Sequence, residues 1–162
     1  MVYIKWAAIT LLVLVLLLLI AGQLGMLIGK GPKDLGVTEG KLKRPSKTPN
    51  SVSSQADLWP AHPQREYAQI AAFTLRGDGP ATMARIKALA ESWPRAVVVE
   101  ARADYLYVQF GTALLKFTDD AEFWFDPAAG VVHVRSASRL GRKDFEVNRQ
   151  RIEAMRAQLS SG

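Results

Sequence analysis

Three arginines, Arg135, Arg139 and Arg149, stand near the start of what the spacing predicts as the last helix, beside the hydroxyls of Ser136 and Ser138. Guanidinium groups hold carboxylate and phosphate oxygens through paired N–H donors, and free N–H groups at a helix start add to them. On the same predicted sheet surface, Tyr105, Tyr107, Trp124 and His133 form an aromatic wall that can flank a carboxylate, a phosphate or a lipid headgroup. A competing arrangement uses the same side chains for structure alone. In it Arg135 pairs with Glu122, the aromatics lie under the preceding linker, and the other arginines form a solvated helix face.

Two further constellations carry chemistry on paper. Ser51, Ser53 or Ser54 with His133 and an aspartate make the set for a nucleophile activated by a histidine. No Gly-x-Ser-x-Gly elbow accompanies them, and Pro49-Asn50-Ser51-Val52-Ser53-Ser54-Gln55 reads first as a turn whose hydroxyls bond nearby backbone. Asp119, Asp120, Glu122 and Asp126 supply oxygen for a hard cation, yet they lack the EF-hand spacing and its glycine. A polar start to a strand is the favoured reading. Gly77-Asp78-Gly79 lacks the Lys-Ser/Thr partner of a phosphate loop and is a turn.

Composition narrows the chemistry further. The 162 residues include no cysteine and only His62 and His133, which removes disulfides, thiolate metal sites, cysteine nucleophiles and His-rich metal sites. No residue set calls for a cofactor or a metal. The length is too short for a TIM barrel. The net charge of +6 is unevenly spread: residues 29–65 hold seven Lys or Arg against three acids, 66–134 six against nine, and 135–162 seven against three.

The elements that must position these residues begin with Ala7 to Ile28, an uncharged run in which only Thr10, Gly22, Gln23 and Gly25 are not hydrophobic. About 20 apolar residues cross a hydrocarbon core of roughly 30 Å, so residues 1–28 read as an uncleaved single-pass anchor with Tyr3 and Trp6 at the interface. The competing signal-peptide reading meets a poor cleavage site at Ala21-Gly22-Gln23. Lys5 alone precedes the run, while Lys30, Lys33, Lys41, Lys43, Arg44 and Lys47 follow it, and the positive-inside count puts the rest of the chain in the cytoplasm. Residues 29–65, rich in Gly, Pro and Lys, read as a tether with the Pro49–Gln55 segment as its most definite part. A basic juxtamembrane tether is attracted to anionic lipid.

Residues 66–162 read as a globular domain. Tyr67 to Leu75 is expected as a strand with Ile70, Ala72 and Thr74 on one side. Pro80 opens a helix whose stripe is Met83, Ile86, Leu89, Ala90 and Trp93. After Pro94 the period becomes two, with Val97, Val99 and Ala101 expected to face the same core as Leu106, Val108 and Phe110. A second hairpin pairs Asp126 with Val131, which sets Phe123 opposite Val134, Trp124 opposite His133 and Glu122 opposite Arg135. A last helix is expected from an Asp144 cap, with Phe145, Asn148, Ile152, Met155 and Leu159 on one face. The result is an α+β fold, β-α-β-β-β-β-α, with an antiparallel sheet of four to five strands and two helices packed on one side.

Four blocks, Leu35–Leu42, Pro49–Gln55, Phe117–Phe123 and Val134–Gly141 with Asn148-Arg149, resemble the bacterial and plastid family called domain of unknown function 1499. The resemblance runs from about residue 35 to the C-terminus and implies no activity. Similar members commonly carry a cysteine pair before the domain, and the corresponding positions here are Pro45 and Ser51. A disulfide in those relatives implies an oxidising compartment, hence a periplasmic domain on an inner or cytoplasmic membrane, against the positive-inside count.

The expected function is therefore a membrane-tethered, noncatalytic envelope domain that binds an anionic lipid, a small anionic ligand or an envelope partner. The alternative is a hydrolase or transferase using the serine segment or the acidic cluster. Nucleic acid fits the pI of 9.8. The split of positive charge between tether and tail, behind a membrane span, argues against it.

Overall fold

The computed structural model describes residues 2–161. Helix α1 (Val2–Gln23) is long and apolar enough to cross a membrane, and its 18-residue apolar core is nowhere buried by the rest of the chain. The remainder follows as β1 (Ser51–Ser53), a 3₁₀ turn at Ala56–Leu58, α2 (Arg65–Ala68), β2 (Phe73–Thr74), α3 (Gly79–Ser92), β3 (Ala96–Ala101), β4 (Tyr105–Gly111), β5 (Thr118–Asp126), β6 (Val131–Ser138) and α4 (Val147–Ser161). The strands make one antiparallel sheet in the order β1-β6-β5-β4-β3, and β2 joins β6 beyond β1. The α+β reading holds.

The β5–β6 hairpin has the register expected from its two faces. Phe123 is opposite Val134, Trp124 opposite His133, Glu122 opposite Arg135 and Asp126 opposite Val131. Alternation then sorts the sheet into an apolar face and a polar one. On the first, Val52, Phe73, Leu106, Val108, Phe110, Phe123, Val132 and Val134 pack with Met83, Ile86 and Ala90 of α3 and Ile152, Met155 and Leu159 of α4. Asp78 caps α3 by accepting from the Ala81 N–H at 2.7 Å, with Pro80 in the first turn. Gly79 lets the Phe125 ring pack against the helix start, since a Cβ would come within 2.2 Å of the ring and displace it.

Three local expectations give way to tertiary contacts. Tyr67–Leu75 is not one strand: Arg65–Ala68 is helical and only Phe73–Thr74 pairs with the sheet. The carbonyls of Ala71 and Ala72 accept from the Arg156 guanidinium, at 2.7 Å each, instead of from a neighbouring strand. Val97 and Val99 do not face the core; they are 57% and 50% exposed, while Val98 pairs with Val108 and packs inward. The bulge between Val98 and Glu100 then resets the phase, so Ala101 pairs with Leu106. Helix α4 starts at Val147, three residues beyond Asp144, and Phe145 is 77% exposed rather than buried. Asp144 still serves the helix start by accepting from the Asn148 N–H at 3.2 Å.

Candidate functional site

The polar sheet face presents Asp120, Glu122 and Trp124 from β5, Tyr105 and Tyr107 from β4, and His133 and Arg135 from β6. Residues 36–50, leading into β1, lie across it. Gln55 holds this cover in shape, accepting from the Leu42 N–H at 2.8 Å and donating to Gly40 O at 2.9 Å, which seats Leu42 in a buried position. Ser51 accepts from the Ser46 N–H at 2.8 Å. Asn50 donates to Gly141 O at 2.8 Å and ties β1 to the end of β6, while Val52 joins the core on the opposite face. Ser53 accepts from the Gln55 N–H, and the Pro49 carbonyl accepts from the Asp144 N–H. The Pro49–Gln55 segment is thus a strand with its flanking turns.

Beneath this cover lie buried ion pairs. Asp120 takes Arg139 in a two-pronged contact, Nε to Oδ2 and Nη2 to Oδ1, both 2.8 Å, and Tyr107 donates to the same carboxylate at 2.5 Å. The Asp120 bond holds the Arg139 guanidinium well above the ordinary arginine range. Burial raises the Tyr107 phenol, and its bond to Asp120 adds to that. Glu122 accepts from the Tyr105 hydroxyl at 2.9 Å and from the Gly36 N–H at 2.7 Å, both on Oε1. Its Oε2 has no hydrogen-bond partner among the described residues. Burial pushes the Glu122 carboxyl up, opposed by the Gly36 N–H, by Arg135 and by Tyr105. Burial likewise raises the Tyr105 phenol.

Arg135 is the least satisfied member. It is only 4% exposed, its Nε donates to Arg44 O at 3.3 Å, and its Nη1 stands 3.8 Å from Glu122 Oε2. Neither terminal nitrogen donates a hydrogen bond among the described residues. Burial pulls its pKa down, against the opposing fields of Glu122 and Asp120. Arg135 lines a cavity of about 410 Å³ with Ser138 and Arg139, the cover adds Lys43, Arg44 and Lys47, and the segment before it adds Lys30. Lys43 is bound to Asp34 at 2.5 Å. Lys30, Arg44 and Lys47 have no carboxylate partner among the described residues, so the cavity carries surplus positive charge.

The expected anion residues therefore divide. Arg135, Arg139 and Ser138 meet at one cavity. Ser136 points to the helix side, where its hydroxyl donates to Asn148 Oδ1 at 2.5 Å. Arg149 is elsewhere, donating to the carbonyls of Gln69 and Tyr67. Tyr105 is buried on Glu122, and Tyr107 touches Arg139 at 3.2 Å. Trp124 and His133 stack with centroids 5.5 Å apart, away from the cavity. The tether bases lining the cavity were not anticipated as site residues. Their signal was the excess of seven bases over three acids in residues 29–65, which says nothing of where the segment folds back.

The serine–histidine set takes a definite form: Ser54 Oγ is 3.1 Å from His133 Nδ1, and His133 Nε2 is 3.7 Å from Asp126 Oδ2. Ser54 Oγ also accepts from the Val134 N–H at 2.9 Å, and the carboxylate lies beyond hydrogen-bond reach of the ring. Burial lowers the His133 pKa, with Asp126 opposing. The contact fastens β1 to β6. Of the acidic cluster, Asp119 pairs with Arg151 across the apolar face at 2.6 Å and Asp120 with Arg139 on the other, so the two carboxylates point apart. No group of three metal-ligating side chains forms among the described residues.

These features define an α+β domain with a covered polar sheet face, preceded by an apolar helix. The sequence signature of the family described as "Protein of unknown function (DUF1499)" matches residues 41–159, and the chain belongs to that family. Comparison with curated proteins and with solved structures returns no match.

Proposed function

We propose that the chain is a single-pass, membrane-tethered, noncatalytic domain that binds an anionic group, phosphate or carboxylate, in the cavity over Arg135 and Arg139. The observation that carries the reading is Arg135, a guanidinium held inside the fold with both terminal nitrogens free to donate at a cavity rimmed by Lys30, Arg44 and Lys47, which have no carboxylate partner among the described residues. An oxyanion there takes guanidinium donors that have no protein partner among the described residues, and charge-assisted bonds to such donors are the strong ones. Arg139 is already committed to Asp120 and acts as a fixed wall.

The test uses the full chain in a neutral detergent with inorganic phosphate followed by calorimetry at two salt concentrations. Arg44→Ala with Lys47→Ala is expected to weaken binding about tenfold, equivalent to about 1.4 kcal/mol, with less loss at high salt. Equal binding by parent and variant overturns the reading.

The soluble part is assigned to the exported side of an inner or cytoplasmic membrane, on the strength of the family's cysteine pair at the Pro45 and Ser51 positions. Activity of a cytoplasm-specific reporter fused after Gly162 overturns that assignment. The hydrolytic alternative rests on the Ser54–His133 contact at 3.1 Å. Esterase turnover by the full chain that Ser54→Ala abolishes is the result that establishes it.

A further inference from the structure

One end of the sheet carries features that the anion cavity does not use. β4 ends at Gly111, β5 starts at Thr118 and β6 ends at Ser138, so residues 112–117 and 139–146 lie together, opposite the turns at Arg102–Asp104 and Pro127–Gly130. α1 ends here too. Gln23 Nε2 donates to Leu114 O at 2.8 Å, and Lys116 Nζ donates to Gln23 O at 3.1 Å, a cation on the carbonyl end of a helix. Gly22 sits against Leu115 so closely that a Cβ would stand 2.8 Å from its Cα, and Gly29 packs on Arg139 and Leu140. The helix terminus is therefore fastened to the loops at this end.

Those loops expose apolar side chains. Leu114 is 68% exposed, Leu140 is also exposed, and Phe145 is the most exposed large hydrophobic beyond α1. Phe145 and Glu146 hold φ values of 52° and 66°, the left-handed region that side-chain-bearing residues rarely occupy. Leu140, Phe145, Phe117 and Val147 flank a shallow, mostly apolar groove of about 280 Å³. Basic groups surround the patch: Lys116, Arg142 and Lys143 are all exposed. Asp144 is buried in its own hydrogen bonds, which leaves Glu146 as the one exposed acid between Arg139 and Val147.

We infer that this end of the domain docks on the anionic surface of the same bilayer that α1 crosses. Leu114, Leu140 and Phe145 enter the boundary between headgroups and acyl chains, and the bases meet the anionic headgroups. The inference rests on the reading of α1 as a span. A helix of 22 residues is about 33 Å long, so with α1 across the membrane Gln23 lies at headgroup level, and the loops bonded to it lie there too. Apolar side chains interleaved with Lys and Arg are the composition that a lipid interface favours.

The chain has no native cysteine, so single-cysteine variants report one place each. Leu12→Cys, Leu114→Cys, Leu140→Cys, Phe145→Cys and Ala129→Cys are made in the full chain, labelled with a nitroxide and reconstituted in vesicles of mixed phosphatidylcholine and phosphatidylglycerol. Relaxation by oxygen, which concentrates in lipid, is compared with relaxation by a water-soluble nickel chelate. Labels at 114, 140 and 145 are expected to favour oxygen, and the label at 129 to favour the chelate. In pure phosphatidylcholine the label at 145 is expected to shift toward water. A lipid signature at 12 with an aqueous one at 145 overturns the docking while leaving the span intact. An aqueous signature at 12 overturns the span and the docking with it. Equal immersion at 145 in both lipid mixtures overturns the assignment to an anionic surface.

Discussion

The two faces of the sheet are built on opposite physics from the same strands. The face under α3 and α4 is apolar, with Phe73 and Phe123 edge to face at 5.8 Å and the side chains of β4, β5 and β6 closed over by Ile86, Ile152 and Met155. Its stabilisation is non-directional and grows with the area removed from water. The other face is closed by the segment around Leu42 and is held by Asp120–Arg139, Glu122–Arg135 and hydrogen bonds from Tyr105, Tyr107 and Gln55. Buried ion pairs of this kind contribute little net stability while penalising any change to one partner alone. The difference teaches where a ligand can enter. Among the described residues the apolar face leaves one buried acceptor, Asn50 Oδ1, without a partner, whereas the polar one leaves Glu122 Oε2 unmet and turns the free terminal nitrogens of Arg135 toward a cavity.

Substitutions that strip one face at a time sharpen this contrast. Phe123→Ala on the apolar face is expected to cost about 3–5 kcal/mol, read from the urea midpoint of the full chain in detergent. On the polar face Arg135→Met leaves Glu122 buried with no cation and is expected to cost about 3 kcal/mol, whereas Arg135→Met with Glu122→Gln recovers most of it. A cost for the double variant as large as that of Phe123→Ala breaks the contrast, because the pair would then be a stabilising element in its own right.

The cover is the next target. Ser51 Oγ reaches the Ser46 N–H at 2.8 Å, so the positions that carry cysteines in similar family members lie close together here. Pro45→Cys with Ser51→Cys is expected to form a disulfide that stabilises the oxidised chain by about 2 kcal/mol over the reduced one. Failure to oxidise shows that the cover is held differently from that geometry.

Acid titration separates two of the buried carboxyls, Asp144 and Glu122, by sign. Burial raises the Asp144 carboxyl, but bonds from the Tyr67 hydroxyl, the Asn148 side chain and backbone N–H groups outweigh it and leave the pKa below the ordinary 3.8. Its stabilisation is complete above that unfolded value and is lost as the pH falls through the lower folded one. Glu122 runs the other way. Its folded pKa lies above the ordinary 4.5, so its charge opposes folding at higher pH and that cost is relieved as acid protonates it. Asp144→Asn is expected to cost about 1–2 kcal/mol at neutral pH and to flatten the acid loss of stability, while Glu122→Gln removes the opposing slope. The Tyr67 phenol, raised to about 12 first by burial and then by Asp144, is expected to titrate lower in Asp144→Asn, with burial still holding it above the ordinary 10. The smallest effect on stability, within about 0.5 kcal/mol, is expected for Arg44→Ala with Lys47→Ala, which are exposed and unpaired. A larger loss from that pair shows that the cavity rim is structural.

Much of the fold was legible because it is written in local period. The 3.6-residue stripe of α3, the β5–β6 register and the apolar run of α1 each depend on neighbours close in sequence. Legibility failed where a distant group decided the outcome. Arg156 claims the carbonyls that would have extended β2, and the pairing of Val98 with Val108 across to β4 turns Val98 inward and Val97 outward. The site was legible in part for the same reason. Glu122 opposite Arg135 follows from hairpin register, and Asp120 with Arg139 is a diagonal pair of the same ladder, Asp120 standing opposite Ala137. The cover that closes over these pairs is what nothing local marks.

By itself the sequence determined an apolar N-terminal helix, an antiparallel sheet with helices on one side, and membership signals spread over four blocks. Hydrophobic period and turn residues encode such features, and each acts over a few residues. Only the tertiary structure decided that β1 and Leu42 come from the segment between helix and domain, and that its lysines rim the cavity above Arg135. It also decided that Phe145 stands in the open beside the end of α1. Those outcomes depend on contacts between residues more than 80 positions apart, whose free energy no local pattern carries.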